Sequence, residues 1–286
     1  MNPATTSTIA LSNITHAFGT KTVLDNISLK ITKGEIFGLL GPSGAGKTTL
    51  IKILTGQLKP TSGTSLLFGK DSTALAGADY NHIGIMMDSF GLYERLSCYE
   101  NLKFFAQIYG ISYDKIDQAL EDVGLSDARK TTVLNLSKGM RSRLLLARVL
   151  MREPKILFLD EPTSGLDPMT AGEIHQLIYR ERDKGVTIFL TTHNMAEAEK
   201  MCDHIALLNE GHIVEYGSPE EICRRYNHQK KLLLHLKDGR DIDLPHDRDA
   251  GQLLAQYFEN GTLETIRSTE PNLETVFMEL TGRSIE

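Results

Sequence analysis

The sequence is short of several features that would assign it to other classes. No apolar run approaches the ~20 residues a membrane helix needs. If the chain works at a membrane, a partner must supply the spanning part. It has only three cysteines, Cys98, Cys202 and Cys223. Scattered and odd in number, they fit neither a disulfide framework nor zinc-ligand spacing, and they suit a reducing cytoplasm. Met1 to Asn13 lacks a charged start followed by an apolar stretch, so no secretory signal is expected there. No long basic run occurs and the formal net charge is −6, which argues against a dedicated nucleic-acid binder. Internal repeats and low-complexity segments are missing too. The remainder is ordinary for a soluble globular protein, with 41% hydrophobic and 24% charged residues. Its 286 residues suffice for one large domain, or for one domain with an appendage.

Along the chain, Ile27 to Ile31 alternates apolar and polar, and Lys33-Gly34-Glu35 then turns into Ile36-Phe37-Gly38-Leu39-Leu40. That continuously apolar run predicts a parallel strand buried on both faces. A Gly-rich loop follows, and Thr48 to Thr55 reads as a helix closed by Gly56. From about Ser97 to Leu150 the pattern is helical. Ser97-Cys98-Tyr99-Glu100 has capping-box spacing ahead of Leu102, Phe104, Phe105 and Ile108, with Gly110 as the stop. Ile116, Ala119, Leu120 and Val123 form a second stripe ending at Gly124. Ile156 to Leu159 and Val186 to Leu190 are further buried-type strands. Ile205 to Leu208 and Ile213 to Tyr216 flank Gly211 as a hairpin. Ser218-Pro219-Glu220-Glu221 opens a short helix. Beyond about Tyr226, Lys231 to Lys237 and Arg240 to Leu244 flank Asp238-Gly239 as a second hairpin. Leu253 to Phe258 and Leu273 to Leu280 suggest helices.

The chemistry concentrates in two places. Gly41-Pro42-Ser43-Gly44-Ala45-Gly46-Lys47-Thr48 matches G-x-x-x-x-G-K-[ST] in full, with Thr49 next. Glycines let backbone N–H groups curl around phosphate oxygens, and the following helix points its positive end at them. Lys47 is expected to reach the β- and γ-phosphates and Thr48 to bind Mg2+. Ile156-Leu157-Phe158-Leu159-Asp160-Glu161 then brings two adjacent acids to the carboxyl end of a buried strand, where ligands of such sheets bind. Asp160 is the candidate magnesium ligand and Glu161 the candidate general base for an attacking water.

With these residues the chain resembles the nucleotide-binding subunits of ABC transporters. Leu136-Ser137-Lys138-Gly139-Met140 looks like the family's signature, usually LSGGQ. Ser164-Gly165-Leu166-Asp167 resembles the D-loop, His193 matches the switch histidine, and Phe18 sits where the family stacks an aromatic ring on adenine. The resemblance covers about residues 9–226 and holds five motifs in family order.

It implies an α/β fold, a P-loop NTPase cassette. The core sheet would be mostly parallel, with an antiparallel β part fed by the N-terminal and late strands and a helical subdomain at about 89–150. Residues 227–286 would form a small α+β appendage. It also implies ATP and Mg2+ as ligands and hydrolysis by a head-to-tail dimer. A homodimer could make two complete sites, because the chain holds both halves of the composite site, and a heterodimer is the alternative. Ser137 and Gly139 would contact the γ-phosphate on the partner's loop, Asp167 of the D-loop would belong to the nucleotide-binding set, and His193 would position γ-phosphate and water.

The signature departs from the family at Lys138 and Met140. A third departure lies after the strand Ile83 to Met87. The family usually places a magnesium-contacting glutamine there, but no glutamine occurs between Gln57 and Gln107, and Asp88 aligns to the position. Asp88 is therefore a candidate metal ligand that would alter coupling or slow turnover.

The implied function is ATP hydrolysis on the cytoplasmic face of the membrane, with a separate transmembrane permease subunit and no nucleic acid. Phe90 to Leu102 is the expected docking surface for that subunit. The tail Glu270 to Gly282 looks like the end of drug- or peptide-antibiotic-exporter ATPases, so export of a drug, antibiotic, peptide or lipid-like compound is expected. The alternatives are a soluble ABC ATPase acting on ribosomes or DNA, and an ATP-sensing module without turnover.

Overall fold

Five consecutive buried residues, Ile36–Leu40, form the strand from which the rest of the molecule is organised. The computed structural model describes residues 7–87, 91–228, 230–245 and 247–282. Ile36–Leu40 has no polar face, so it needs neighbours on both edges and cover on both sides. It pairs parallel with Thr187–Thr192 on one edge and with His204–Asn209 on the other. Ile156–Asp160 and Ile83–Met87 extend the sheet beyond Thr187–Thr192, again in parallel. His212–Gly217 lies outside His204–Asn209 and completes six strands. Phe37 and Phe158 both pack on Phe189, at ring-centroid distances of 5.4 and 5.6 Å.

A second, antiparallel sheet has the order Lys21–Thr32, Ser7–Phe18, Ser62–Leu67 and Lys70–Asp71. Ile9, Leu11, Ile14, Leu24, Ile27 and Ile31 turn inward from its two long strands into the main core. The late hairpin does not feed this sheet, contrary to expectation. Ile205 to Leu208 are all buried, and a run apolar on both faces belongs inside the parallel sheet. Ser62–Leu67 takes the place beside the N-terminal strand instead. Its first three residues are exposed, so it carries little hydrophobic signal.

Helices Cys98–Tyr109, Asp114–Asp122 and Lys138–Leu150 make up the helical stretch. The Ser97 capping box forms as expected. Its hydroxyl accepts from the Glu100 N–H, and the Glu100 carboxylate accepts from the Ser97 N–H at 2.8 Å.

The chain divides into two compact units, up to Tyr216 and from Gly217 onward. The second holds a three-stranded antiparallel sheet, Asp241–Pro245, Lys231–Leu236 and Leu263–Ser268, and the helices Pro219–Arg225, Arg248–Glu259 and Leu273–Thr281. Its core is small, centred on Leu234, Leu244 and Ala250. Among the described residues, no helix is long and apolar enough to cross a membrane.

Candidate functional site

The loop after Ile36–Leu40 is shaped by glycines that no other residue could replace. Gly41 has φ 159° and Gly46 φ 112°. A Cβ on Gly41 would collide with the Leu208 carbonyl oxygen, and one on Gly46 would lie 2.7 Å from Leu24 Cδ2. Gly46 caps the helix Lys47–Leu54 without a side chain, which leaves first-turn N–H donors for an anion. Ala45 N–H donates to the Pro42 carbonyl and closes the turn at 3.2 Å. Lys47 is only 7% exposed. Its ammonium donates to the Gly41 carbonyl at 2.5 Å and the Pro42 carbonyl at 3.3 Å, and it lies 3.3 Å from Glu161 Oε1.

Two acids meet this loop from the end of Ile156–Asp160, one strand beyond Thr187–Thr192. Thr48 Oγ1 donates to Asp160 Oδ2 at 2.8 Å, and Thr191 Oγ1 donates to Asp160 Oδ1 at 2.5 Å. Glu161 then takes a left-handed backbone, φ 51°, held by its N–H on the Thr191 carbonyl at 3.1 Å. A non-glycine residue adopts that region at a cost, and such residues concentrate at functional sites. The turn sends the Glu161 side chain back toward the loop. One carboxylate oxygen faces Lys47 and the other pairs with His193 Nδ1 at 2.7 Å.

Ser43, Gly44, Gly46, Lys47, Thr48, Thr49, Asp160 and Glu161 line a cleft of about 780 Å³. Leu136, Lys138, Arg141 and Ser142 border the same cleft from the helix Lys138–Leu150 and the residue ahead of its cap.

The other expected site residues have different local work. Ser137 is the N-cap of Lys138–Leu150, accepting from Met140 N–H at 3.2 Å, and it does not line the cleft. Gly139 is buried against Thr170, whose Cγ2 would clash with any Cβ there. Asp167 caps Pro168–Asp183, accepting from Thr170 N–H at 3.0 Å and Thr170 Oγ1 at 2.6 Å. The Thr170 hydroxyl, seconded by its N–H, holds the Asp167 carboxyl below its ordinary range. Phe18 is 54% exposed and meets His16 edge-on at 4.7 Å, apart from the cleft lining. Met87 pairs with Asp160 in register, but Asp88 and Phe90 lie outside the described residues.

The model of the ABC transporter family matches residues 24–164. The chain is 40% identical over 260 residues to a fluoroquinolones export ATP-binding protein of Mycobacterium tuberculosis, covering 89% of this chain and 86% of that one. This chain belongs to the ABC transporter family. It is 34% identical to the bacitracin transport ATP-binding protein of Enterococcus faecalis over 296 residues, 96% of each chain. A solved structure of an ATP-binding subunit of an ABC transporter superposes with a TM-score of 0.68 at 26% identity, covering 77% of this chain and 93% of that one. The protein is thus an ABC ATP-binding cassette, a nucleotide-binding ATPase subunit coupled to transport. The ribosome- or DNA-directed alternative finds no support in these relatives.

Sequence reasoning missed one side chain of the cassette's site. Thr191 orients Asp160 with its hydroxyl and Glu161 with its carbonyl. Its signal is a pair of hydroxyls, Thr191-Thr192, following the apolar run Ile188 to Leu190 at the strand end that pairs with Asp160.

Proposed function

We propose that this chain binds and hydrolyses ATP with Mg2+ as one half of a homodimer. It would energise export of an antibiotic, drug, peptide or lipid-like compound through a separate membrane subunit on its cytoplasmic face. The observation that carries the reading is the meeting of Lys47, Thr48, Asp160, Glu161 and His193 around one loop. Loop N–H donors and Lys47 suit a triphosphate. Thr48 and Asp160 place a hydroxyl and a carboxylate oxygen side by side, a donor set that fits a hard cation. Among the described residues no three His, Cys, Asp or Glu converge to hold a metal alone, so phosphate oxygens would complete the shell. Mg2+ bound there would neutralise charge on those oxygens.

Glu161 polarises the attacking water and takes up its proton, while His193 fixes the direction of the Glu161 carboxylate and holds the γ-phosphate. Ser137 and Gly139 do not line their own chain's cleft, which fits service at a second copy's loop. Asp167 would line that dimer interface and Phe18 would stack on the adenine. Tyr93, half exposed and edge-on to Phe104 at 4.8 Å, presents an aromatic surface for the membrane subunit. Export rather than import rests on the name of the fluoroquinolones relative. The test is co-reconstitution with the membrane subunit in lipid vesicles, reading phosphate release and fluoroquinolone or bacitracin accumulation. Wild type should show both and Lys47→Ala neither. Hydrolysis by wild type equal to that of Lys47→Ala would overturn the reading.

A further inference from the structure

Behind the Glu161–His193 pair lies a second carboxylate that no motif points to. Glu197 is 6% exposed and sits in the helix Met195–Met201. Its Oε1 accepts from Thr163 Oγ1 at 2.5 Å and pairs with His175 Nε2 at 2.7 Å. Its Oε2 accepts from Thr192 Oγ1 at 2.8 Å. Its own N–H donates to Asn194 Oδ1 at 3.0 Å.

These partners belong to three separate segments. Thr163 is two residues past Glu161, Thr192 immediately precedes His193, and His175 is on the helix Pro168–Asp183. Burial raises the Glu197 carboxyl, but the bonds from His175, Thr163 and Thr192 outweigh it and leave the carboxyl below its ordinary range. A buried carboxylate with three donors is costly to disturb, because each donor is stranded if the others move. The two loops that carry Glu161 and His193 are therefore joined twice. The front join is Glu161 Oε2 to His193 Nδ1, and the rear join is Thr163 and Thr192 to Glu197.

We propose that Glu197 is a positioning residue for ATP hydrolysis, fixing the spacing of Glu161 and His193 from behind through Thr163 and Thr192. The inference rests on the assignment of Glu161 and His193 to hydrolysis. Glu197 touches neither nucleotide nor water, and its effect falls on turnover rather than on nucleotide affinity. Lys47 and Thr48, which meet the phosphates, have no bond to it among the described residues.

Glu197→Ala would strand three buried donors at once and endanger folding, so the decisive variants are at Thr163. Thr163→Val keeps the shape and removes one donor, and Thr163→Ser restores the hydroxyl. Phosphate release gives kcat and KM for ATP, and amide hydrogen exchange reads residues 161–165 and 191–194 without turnover. For Thr163→Val we expect kcat to fall on the order of 10-fold with KM within about twofold, and both segments to exchange faster, through loss of one buried charge-assisted bond. Thr163→Ser should return both readouts to the wild-type range. Thr163→Val with wild-type kcat, or with unchanged exchange at 161–165 and 191–194, overturns the proposal. A purely structural role would lower the melting temperature and leave kcat below it intact, which also counts against positioning. If wild type hydrolyses no ATP, the assignment of the site fails, and the exchange measurement alone decides whether Glu197 orders the two loops.

Discussion

Lys47 Nζ lies 3.3 Å from Glu161 Oε1, while the other oxygen of the same carboxylate pairs with His193 Nδ1 at 2.7 Å. The cation proposed to meet phosphate and the acid proposed to meet water are thus held by one another, with His193 as the third member. Removing either charge changes a different property. Lys47→Ala takes away a charge-assisted phosphate contact and should weaken ATP binding on the order of 10- to 100-fold. Glu161→Gln keeps shape and hydrogen-bonding reach, so ATP should bind while turnover falls by about 10²-fold or more. Nucleotide-analogue fluorescence and phosphate release separate the two effects. His193→Ala should also slow turnover with binding retained. Because part of its action runs through the bond to Glu161, the loss in the double variant should fall short of the product of the two single losses. Fully multiplicative losses would show that His193 works independently of Glu161.

Glu197 makes stability depend on pH in one direction. Its carboxyl sits below the ordinary 4.5 in the folded protein, so the unfolded chain binds the proton more readily. The stabilisation is complete above the ordinary value and is lost as pH falls through the lower folded value. Glu197→Gln should therefore cost about 1–3 kcal/mol at neutral pH, the range for charge-assisted buried bonds. Thermal melts from pH 7 to pH 3 should show the gap between wild type and variant closing on acidification. A gap that widens with acid would contradict the carboxylate's role as a hydrogen-bonded anion.

The cysteines separate by burial. Cys98 and Cys202 are 0% and 8% exposed, and burial pushes both thiols up, so little thiolate is available. Cys223 is only half-buried. A disulfide reagent such as dithionitrobenzoate should modify Cys223 first in the native protein. Cys98 and Cys202 should follow only in denaturant. Fast native labelling at Cys202 would mean that the core around Gly38, where an added Cβ would lie 2.7 Å from Cys202 Sγ, opens readily.

The phosphate loop was readable because its function needs a fixed spacing of glycines, lysine and threonine in consecutive residues. The capping boxes at Ser97 and Ser218 were readable for the same local reason. The Lys47–Glu161 pair and the grip of Thr191 on Asp160 were not, since their partners are far apart in sequence and meet only through the order of parallel strands. Leu263–Ser268 carries no strand signal in its sequence, because five of its six residues are exposed and no alternation marks it. A turn at Gly211 shows that two strands of the late hairpin pair, not which strand they pair with next, so the turn alone does not identify their sheet. The hairpin's buried run, Ile205 to Leu208, held the better clue.

Ser137 gives the sharpest test of the dimer. Within its own chain it caps Lys138–Leu150 through its hydroxyl, and neither it nor Gly139 lines the cleft with Lys47. If each site combines one chain's loop with the other's signature, Lys47→Ala and Ser137→Arg should each be inactive as homodimers. A mixed dimer then has one dead site carrying both lesions and one intact site, built from the Lys47 loop of one chain and the Ser137 signature of the other. Equal mixing makes about half the dimers mixed, so activity should recover to about a quarter of wild type if the two sites work independently. Sites completed within a single chain would leave the mixture as inactive as its components. The measurement is phosphate release from the two purified variants, alone and combined, with Glu161→Gln added to Ser137→Arg as the control that must abolish recovery.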